Sequence, residues 1–348
     1  MMIPMQNAKV QEKIKHMLYT LAFPFVAWII MEVLCLIFQD RHVFNSILDI
    51  QNYARNVGIS VCTALALSYN LGNGRFDMSL GAQRMMSAII GGNLAISLGF
   101  GTAGVIVFAV VIGIIGGAFV GILFVTTRIP PMVLGIGMAL VYECMAFAGS
   151  NSQGLQLYGV PQVAGLSSMY LAIGVVVAAV LFVMVLDRYT KFGFYNRAIS
   201  GSQKIAHNCG INIFTHAVGC YTIGGGLVAF SGLFDAGFKG VMGAELGFSS
   251  NSSVMTNCFP MFLGKFIARW SSEAVGILFA TMSIRLFQLG LSVLKFSSTA
   301  QQVFTSALFL IFLIVRANEF IFKQRRAKSQ RIAQAIEKRA GLANLAQA

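Results

Sequence analysis

Four side chains that could bind or gate a polar solute stand inside long apolar stretches: Glu32, Glu143, Arg285 and Gln288. A charge at membrane depth costs about 2.5–3.5 kcal/mol on insertion scales and so faces a bundle interior or a water-filled path. Glu143 and Arg285 have the types to pair with each other, or to hydrogen-bond a solute in transit. Asp77 sits between two apolar stretches in Phe76-Asp77-Met78-Ser79-Leu80-Gly81. Its plainer role is a cap, with its oxygen accepting from free N–H groups near Ser79 and Leu80 at the start of a helix. Its sharper role is a gate. Phe76, Asp77, Ser79, Glu143, Arg285 and Gln288 are therefore the candidate translocation path or gate.

Other patterns argue against catalysis on this chain. No G-x-x-x-x-G-K-[ST] occurs, so no P-loop holds ATP. Gly99-Phe100-Gly101-Thr102-Ala103-Gly104 matches a dinucleotide fingerprint, which requires a preceding strand. Two apolar helices flank it instead, and a tight turn between them accounts for the glycines. His16, His42, His207 and His216 have no metal-ligand spacing. The six cysteines form no C-x-x-C pair and lie mostly in apolar surroundings. No catalytic residue, metal ligand or cofactor site is expected.

The elements that position these residues are membrane helices. In 348 residues the hydrophobic set makes up 57% and charged residues only 11%, with a mean hydropathy of +0.75. So few charges cannot cover a water-soluble protein of this size. The apolar run Met17 to Phe38 is longer than a signal-peptide core of about 7–15 residues, and no cleavage signature follows it. At about 20 residues per crossing, further spans fall near 54–73, 78–98, 101–126, 130–149, 169–187, 213–235, 252–268, 271–293 and 299–316. The expectation is an all-α polytopic bundle of about ten transmembrane helices, with short or broken segments around 54–98 and 236–268. Gly113, Gly117 and Gly121 recur every four residues, a spacing that lets helix backbones approach closely.

Charge placement orients the bundle. The net charge of +13 is not a nucleic-acid patch, because its residues occupy short gaps between apolar runs and the tail. Arg75, Arg128, Arg188 to Lys204, Lys265 to Arg269 and the tail fall on one side. Arg41, Arg55, Lys239 and Lys295 fall on the other. Both termini are then cytoplasmic. Residues 1–16 form a cytoplasmic N-terminus and 17–316 the transmembrane domain. Residues 317–348 form a basic tail, with Ile332, Ala335 and Ile336 on one side of a possible helix near anionic lipid. The most polar internal loop, 188–212, lies on the cytoplasmic side. Within it, Arg197 to Asn212 reads as a short helix ending at Gly210, a left-handed C-cap.

That loop carries a resemblance. Thr190-Lys191-Phe192-Gly193, Ala198-Ile199-Ser200-Gly201, Ala206 and Gly210-Ile211-Asn212 resemble the cytoplasmic loop of ribose-type ABC importer permeases, which run T-x-F-G, A-I-G-G-N, A-A and S-G-I-N. Arg128-Ile129-Pro130-Pro131 with Gly137 is similar to the family's K-[IV]-P-P-F segment. Phe76 to Gly81 is similar to G-G-I-D-L-S-V-G, and Gln301-Gln302 to W-Q-Q-V. The matches run in order over about residues 50–316.

The resemblance implies a permease subunit in a bacterial inner membrane, working with a second permease subunit, either a copy of itself or a different chain. It also implies two ATP-binding cassette subunits, which carry ATP and Mg, and an extracytoplasmic solute-binding protein. The solute would be a sugar, or a nucleoside or other non-sugar in some relatives. The chain itself would not be an enzyme. Residues Arg197, Gly201, Ser202, Lys204, Ala206, His207, Asn208 and Gly210 are the expected ATPase-coupling surface. An ion-driven transporter needing no partner is the alternative. The chain departs from the pattern at Arg75, where a second glycine is usual, and at Ser202, where asparagine is usual. It also has Leu263 to Ser272 in place of a glycine-rich loop.

Overall fold

The computed structural model describes residues 3–319 together with Gln324 and Lys328. Its helices are α1 (Ile3–Gln39), α2 (Ile47–Leu71), α3 (Leu80–Ser97), α4 (Thr102–Thr127), α5 (Pro131–Gly149), α6 (Met169–Tyr189), α7 (Lys191–Gly201), α8 (Gln203–Asn208), α9 (Ile213–Lys239), α10 (Ser252–Met255), α11 (Cys258–Ile267) and α12 (Glu273–Val293). A further helix, α13 (Ser298–Glu319), belongs to a second unit beginning at Phe296. The expected helix around Ile332 lies outside the described residues, as does nearly all of the basic tail.

Each of the ten apolar stretches holds a helix. Seven are long and apolar enough to cross a membrane: Lys15–Gln39, α4, α5, α6, α9, α12 and α13. The chain is a multi-pass helical membrane protein. The other three stretches hold α2, α3 and the broken pair α10–α11, which are more polar. Exposed side chains on the long helices are large and apolar, such as Phe25, Phe119 and Phe182. Lipid covers such faces at no cost, whereas water would not.

Two boundaries differ from the hydropathy reading. Helix α1 starts at Ile3, well before the apolar run. Helix α2 starts at Ile47 because Ser46 accepts from Leu48 N (3.2 Å) and Asp49 accepts in return from Ser46 N (2.9 Å). This reciprocal cap sets the start chemically, and it places Arg55 inside α2 rather than in a gap between spans.

Packing rests on small residues. A Cβ at Gly113 would lie 2.5 Å from Gly225 O, one at Gly121 2.9 Å from Val218 Cα, and one at Gly117 would collide with Tyr221 O. The four-residue glycine repeat is thus the face on which α4 lies against α9. Helix α3 is buried along most of its length between α4, α5 and α9, so its polar residues need partners. Gln83 Nε2 donates to Gly113 O at 2.8 Å. Gly99 (φ +75°) and Gly101 make the α3–α4 turn, as their spacing predicts. At this end of the bundle β1 (Leu155–Gln156) and β2 (Val241–Met242) pair antiparallel, with Leu155 opposite Met242.

Where the family's glycine loop would be, bulky residues pack. Trp270 lies edge-on to Phe266 (5.5 Å) and near Tyr19 (6.1 Å) and Phe23 (6.2 Å) of α1. Lys265 pairs with Glu273 at 3.2 Å across the α11–α12 corner. Gly264 meets Ile277 there, which keeps the corner tight.

Candidate functional site

At the end opposite the β1–β2 pair, two short helices take the place of the single one expected over Arg197–Asn212. The break is at Ser202, whose backbone is extended (φ −163°, ψ 112°) and whose hydroxyl accepts from Ile205 N at 3.4 Å. Serine competes with the helix for local hydrogen bonds and so ends α7 while capping α8. Thr190 caps α7, accepting from Gly193 N (3.4 Å). Gly210 has φ +82°, and Asn212 caps α9 through Phe214 N and Thr215 N. Arg197, Gly201, Lys204, His207, Asn208 and Gly210 are exposed, and Ser202 is half-buried. Ala206 is a correction: at 2% exposure it packs inward beneath this surface, and Ile205 points outward in its place.

The α7–α8 pair is bonded to the segment 72–79, which leads into α3. Ser200 Oγ donates to Gly72 O (2.9 Å), Gln203 Nε2 to Asn73 O (2.6 Å), and Asn73 Nδ2 to Asn196 Oδ1 (2.6 Å). Segment 72–79 carries Arg75, Phe76 and Asp77. Asp77 is buried, and its Oδ1 accepts from Ser79 N (2.9 Å) and Ser79 Oγ (2.7 Å) while Oδ2 accepts from Asn70 Nδ2 (3.2 Å). It therefore ties the end of α2 to the start of α3, reaching Ser79 N rather than Leu80 N. Phe76 is half-buried and Ser79 fully buried. Helix α5 closes on the same segment, since a Cβ at Gly135 would lie 2.6 Å from Met78 N. Pro131 opens α5 in its first turn, where its missing N–H costs nothing.

Glu143 and Arg285 do not meet. Glu143, fully buried on α5, accepts from Phe248 N (2.7 Å), Ser250 N (3.1 Å) and Ser250 Oγ (2.6 Å). It pins the segment 243–251, where Phe248 is held at φ +67°. Arg285 on α12 donates through Nε (2.6 Å) and Nη2 to Ser60 Oγ of α2, and through Nη1 to Gln288 Oε1 (2.8 Å). Glu32 also stays local: it pairs with His42 Nδ1 (2.5 Å) and accepts from Val43 N (3.0 Å), folding the α1–α2 turn back.

A charged pair that the sequence pattern does not single out links α3 to α9. Arg84 of α3 and Asp235 of α9 form an ion pair (2.8 Å) with side chains 8% and 15% exposed. Arg84 Nε also donates to Ser231 Oγ (3.1 Å). Ser231 in turn shares a 2.7 Å bond with Thr63 Oγ1 of α2. Asp235 accepts from Lys239 as well (3.0 Å). Both charges sit in stretches read as spans, so the signal that marked Glu143 was present at these positions too. The result is a polar seam along α2 and α9, flanked by α3 and α12. It holds polar groups at several depths, among them Ser60, Thr63, Arg84 and Ser231 and the buried Cys220 thiol 3.5 Å from His216 Nδ1.

Residues 50–313 match the family described as branched-chain amino acid transport system / permease component. Among characterised proteins, the chain is 26% identical over 251 residues to the galactose/methyl galactoside import permease protein MglC of Salmonella typhimurium, covering 64% of this chain and 73% of that one. It is 25% identical over 262 residues to the fructose import permease protein FrcC of Rhizobium meliloti, covering 71% of each. It is 26% identical over 209 residues to the galactofuranose transporter permease protein YtfT of Escherichia coli, covering 58% and 59%. No solved structure gives a significant match. The family match spans most of the chain, which therefore belongs to this permease family.

Proposed function

We propose that this member of the permease family is the membrane-spanning subunit of an ABC importer in a bacterial inner membrane, and that it moves a sugar or sugar derivative by alternating access. The relatives' names, all of sugar permeases, favour a sugar over a nucleoside or other solute. In this reading ten helices cross the membrane with both ends cytoplasmic, as the placement of basic residues supports. A partner ATP-binding subunit, which holds ATP and Mg, presses on Arg197, Gly201, Ser202, Lys204, His207, Asn208 and Gly210. A solute-binding protein delivers from the β1–β2 end, and a second permease subunit completes the path.

The observation that carries the reading is the triple hydrogen-bonded link from α7–α8 to segment 72–79. A push on two short exposed helices would pass as a rigid-body displacement to Asp77 and the start of α3. An ion-driven transporter would need no such exposed lever. The test is purification of the tagged full-length chain from its native membrane, with mass spectrometry of what accompanies it. An ATP-binding cassette subunit is expected. A chain that is monodisperse alone, with uptake abolished by an ionophore, would replace this reading with the ion-driven one.

A further inference from the structure

The membrane stretch between α9 and α12 is only half helical. Helices α10 and α11 are short, and residues 243–248 before them, which lead down from β2, are irregular. Contacts fix the depth of this segment. A Cβ at Gly81, in the first turn of α3, would lie 2.7 Å from Ser250 O. Glu245 N lies 3.3 Å from Met85 Sδ of α3. Phe248 N and Ser250 N donate to Glu143. Glu143 lies about 9 Å along the membrane-length helix α5 from Gly149 and about 18 Å from Pro131, at 1.5 Å per residue. In a hydrocarbon layer ~30 Å thick, that places the segment well inside it.

Irregular backbone at that depth carries polar groups that lipid cannot meet, so it occurs only where protein buries it or where it lines a water-filled cavity. One side of this segment is buried: Glu143 holds it, and Ser250 and Asn251 are covered. The other side is open. Glu245, Gly247, Ser249, Ser252 and Thr256 are exposed. Among the described residues, no backbone acceptor meets the N–H of Ala244, Leu246 or Gly247. Ser249, Ser252 and Thr256 follow at three- and four-residue spacing, which sets them on one face. Ser249 Oγ donates to Glu245 Oε2 (3.1 Å), joining the carboxylate to the same stripe. The lipid-facing side chains of α4 and α6 are large and apolar, as at Phe119 and Phe182, whereas this stripe is a carboxylate and hydroxyls. Residues 243–257 include no Lys, Arg or His.

We propose that Glu245, Ser249, Ser252 and Thr256 line the water-filled route of the solute on an exposed face of this subunit, and that Glu245 makes the route favour neutral or cationic solutes over anions. This rests on the importer reading and assigns its solute-facing residues. Glu143 stands behind the stripe as its support, and the second permease subunit of that reading faces the stripe across the water. Carboxylate oxygens accept, and hydroxyls both donate and accept, which matches the hydroxyl groups that a neutral sugar presents. A stripe with one acid and no cation offers an anion nothing to pair with.

The test is thiol labelling of the full-length chain in its native membrane, in a background with the exposed Cys144 and Cys209 replaced by serine. Ser249→Cys, Ser252→Cys and Thr256→Cys are each treated on both sides of the membrane with the cationic reagent trimethylammonioethyl methanethiosulfonate. Only a hydrated thiol ionises readily to the reactive thiolate. All three should react at least about tenfold faster than Phe119→Cys on the lipid face of α4. At Ser249→Cys the cationic reagent should outpace the anionic sulfonatoethyl methanethiosulfonate about tenfold, relative to their rates with free cysteine, because of the nearby carboxylate. Adding Glu245→Gln should remove that preference. If Ser249→Cys does not fold, the same pair of reagents at Ser252→Cys decides. Rates no faster than at Phe119→Cys would mean that lipid or the second subunit covers the stripe, and would overturn the proposal. Equal rates for the two reagents would remove Glu245 from the route and overturn the stated selectivity. The importer reading fails by a separate result, the lack of an ATP-binding partner on purification.

Discussion

Replacing Glu143 with glutamine separates a strut from a path residue. The carboxylate accepts three hydrogen bonds, two at Oε1 from Ser250 and one at Oε2 from Phe248 N. Glutamine keeps one oxygen, and its best orientation retains the two Ser250 bonds. Its NH2 then faces the Phe248 N–H, donor against donor. The loss is one bond to a charged acceptor, about 2 kcal/mol, with Phe248 still required to hold a left-handed backbone (φ +67°). Opening of segment 243–251 becomes easier by that amount, about thirtyfold in population. Hydrogen–deuterium exchange on the detergent-solubilised protein reads this directly. The Phe248 and Ser250 amides should exchange about thirtyfold faster in Glu143→Gln, with α4 and α9 unchanged and the melting temperature lowered. Unchanged exchange at Phe248 with lost uptake would refute the argument and return Glu143 to the path.

Other outcomes follow from the same geometry. Gly117→Leu should prevent stable folding or cost more than about 3 kcal/mol, because even a Cβ collides with Tyr221 O; a normal melting temperature would mean α4 and α9 pack differently. Asp235→Asn should cost about 3 kcal/mol by leaving Arg84 unpaired, and the double variant with Arg84→Gln should cost less than the sum of the singles in a thermal-stability cycle. Gly201→Trp, at a position where a Cβ meets nothing, should leave the fold intact yet uncouple ATP hydrolysis from uptake in the reconstituted complex; unchanged coupling would take α7–α8 out of the mechanism. Single cysteines should react with an impermeant maleimide from outside at Gln156 and not at Lys204, and the reverse would invert the topology.

Much of the architecture was legible because hydropathy and helix length report on lipid contact, which is a local property. The long apolar helices, the Pro131 helix start, the Gly99–Gly104 turn and the glycine repeat all follow from residue type at fixed spacing. The start of α2 was not, because a cap such as Ser46–Asp49 can override hydropathy. The break at Ser202 was missed for a similar reason: one hydroxyl competing with the backbone outweighs helix propensity over a few residues.

Residue types and their spacing alone make this chain a helical membrane protein with polar groups buried at a few positions and a polar loop between two spans. They do not determine which of those groups meet. Glu143 and Arg285 have complementary charges, yet one pins a loop and the other reaches a serine. Arg84 and Asp235, distant in sequence and not singled out, form an ion pair between α3 and α9. In lipid every buried charge must find a partner, but many partners would satisfy that demand. The choice is made by helix packing, and the packing is set by which glycine faces let α3, α4 and α9 come within backbone contact.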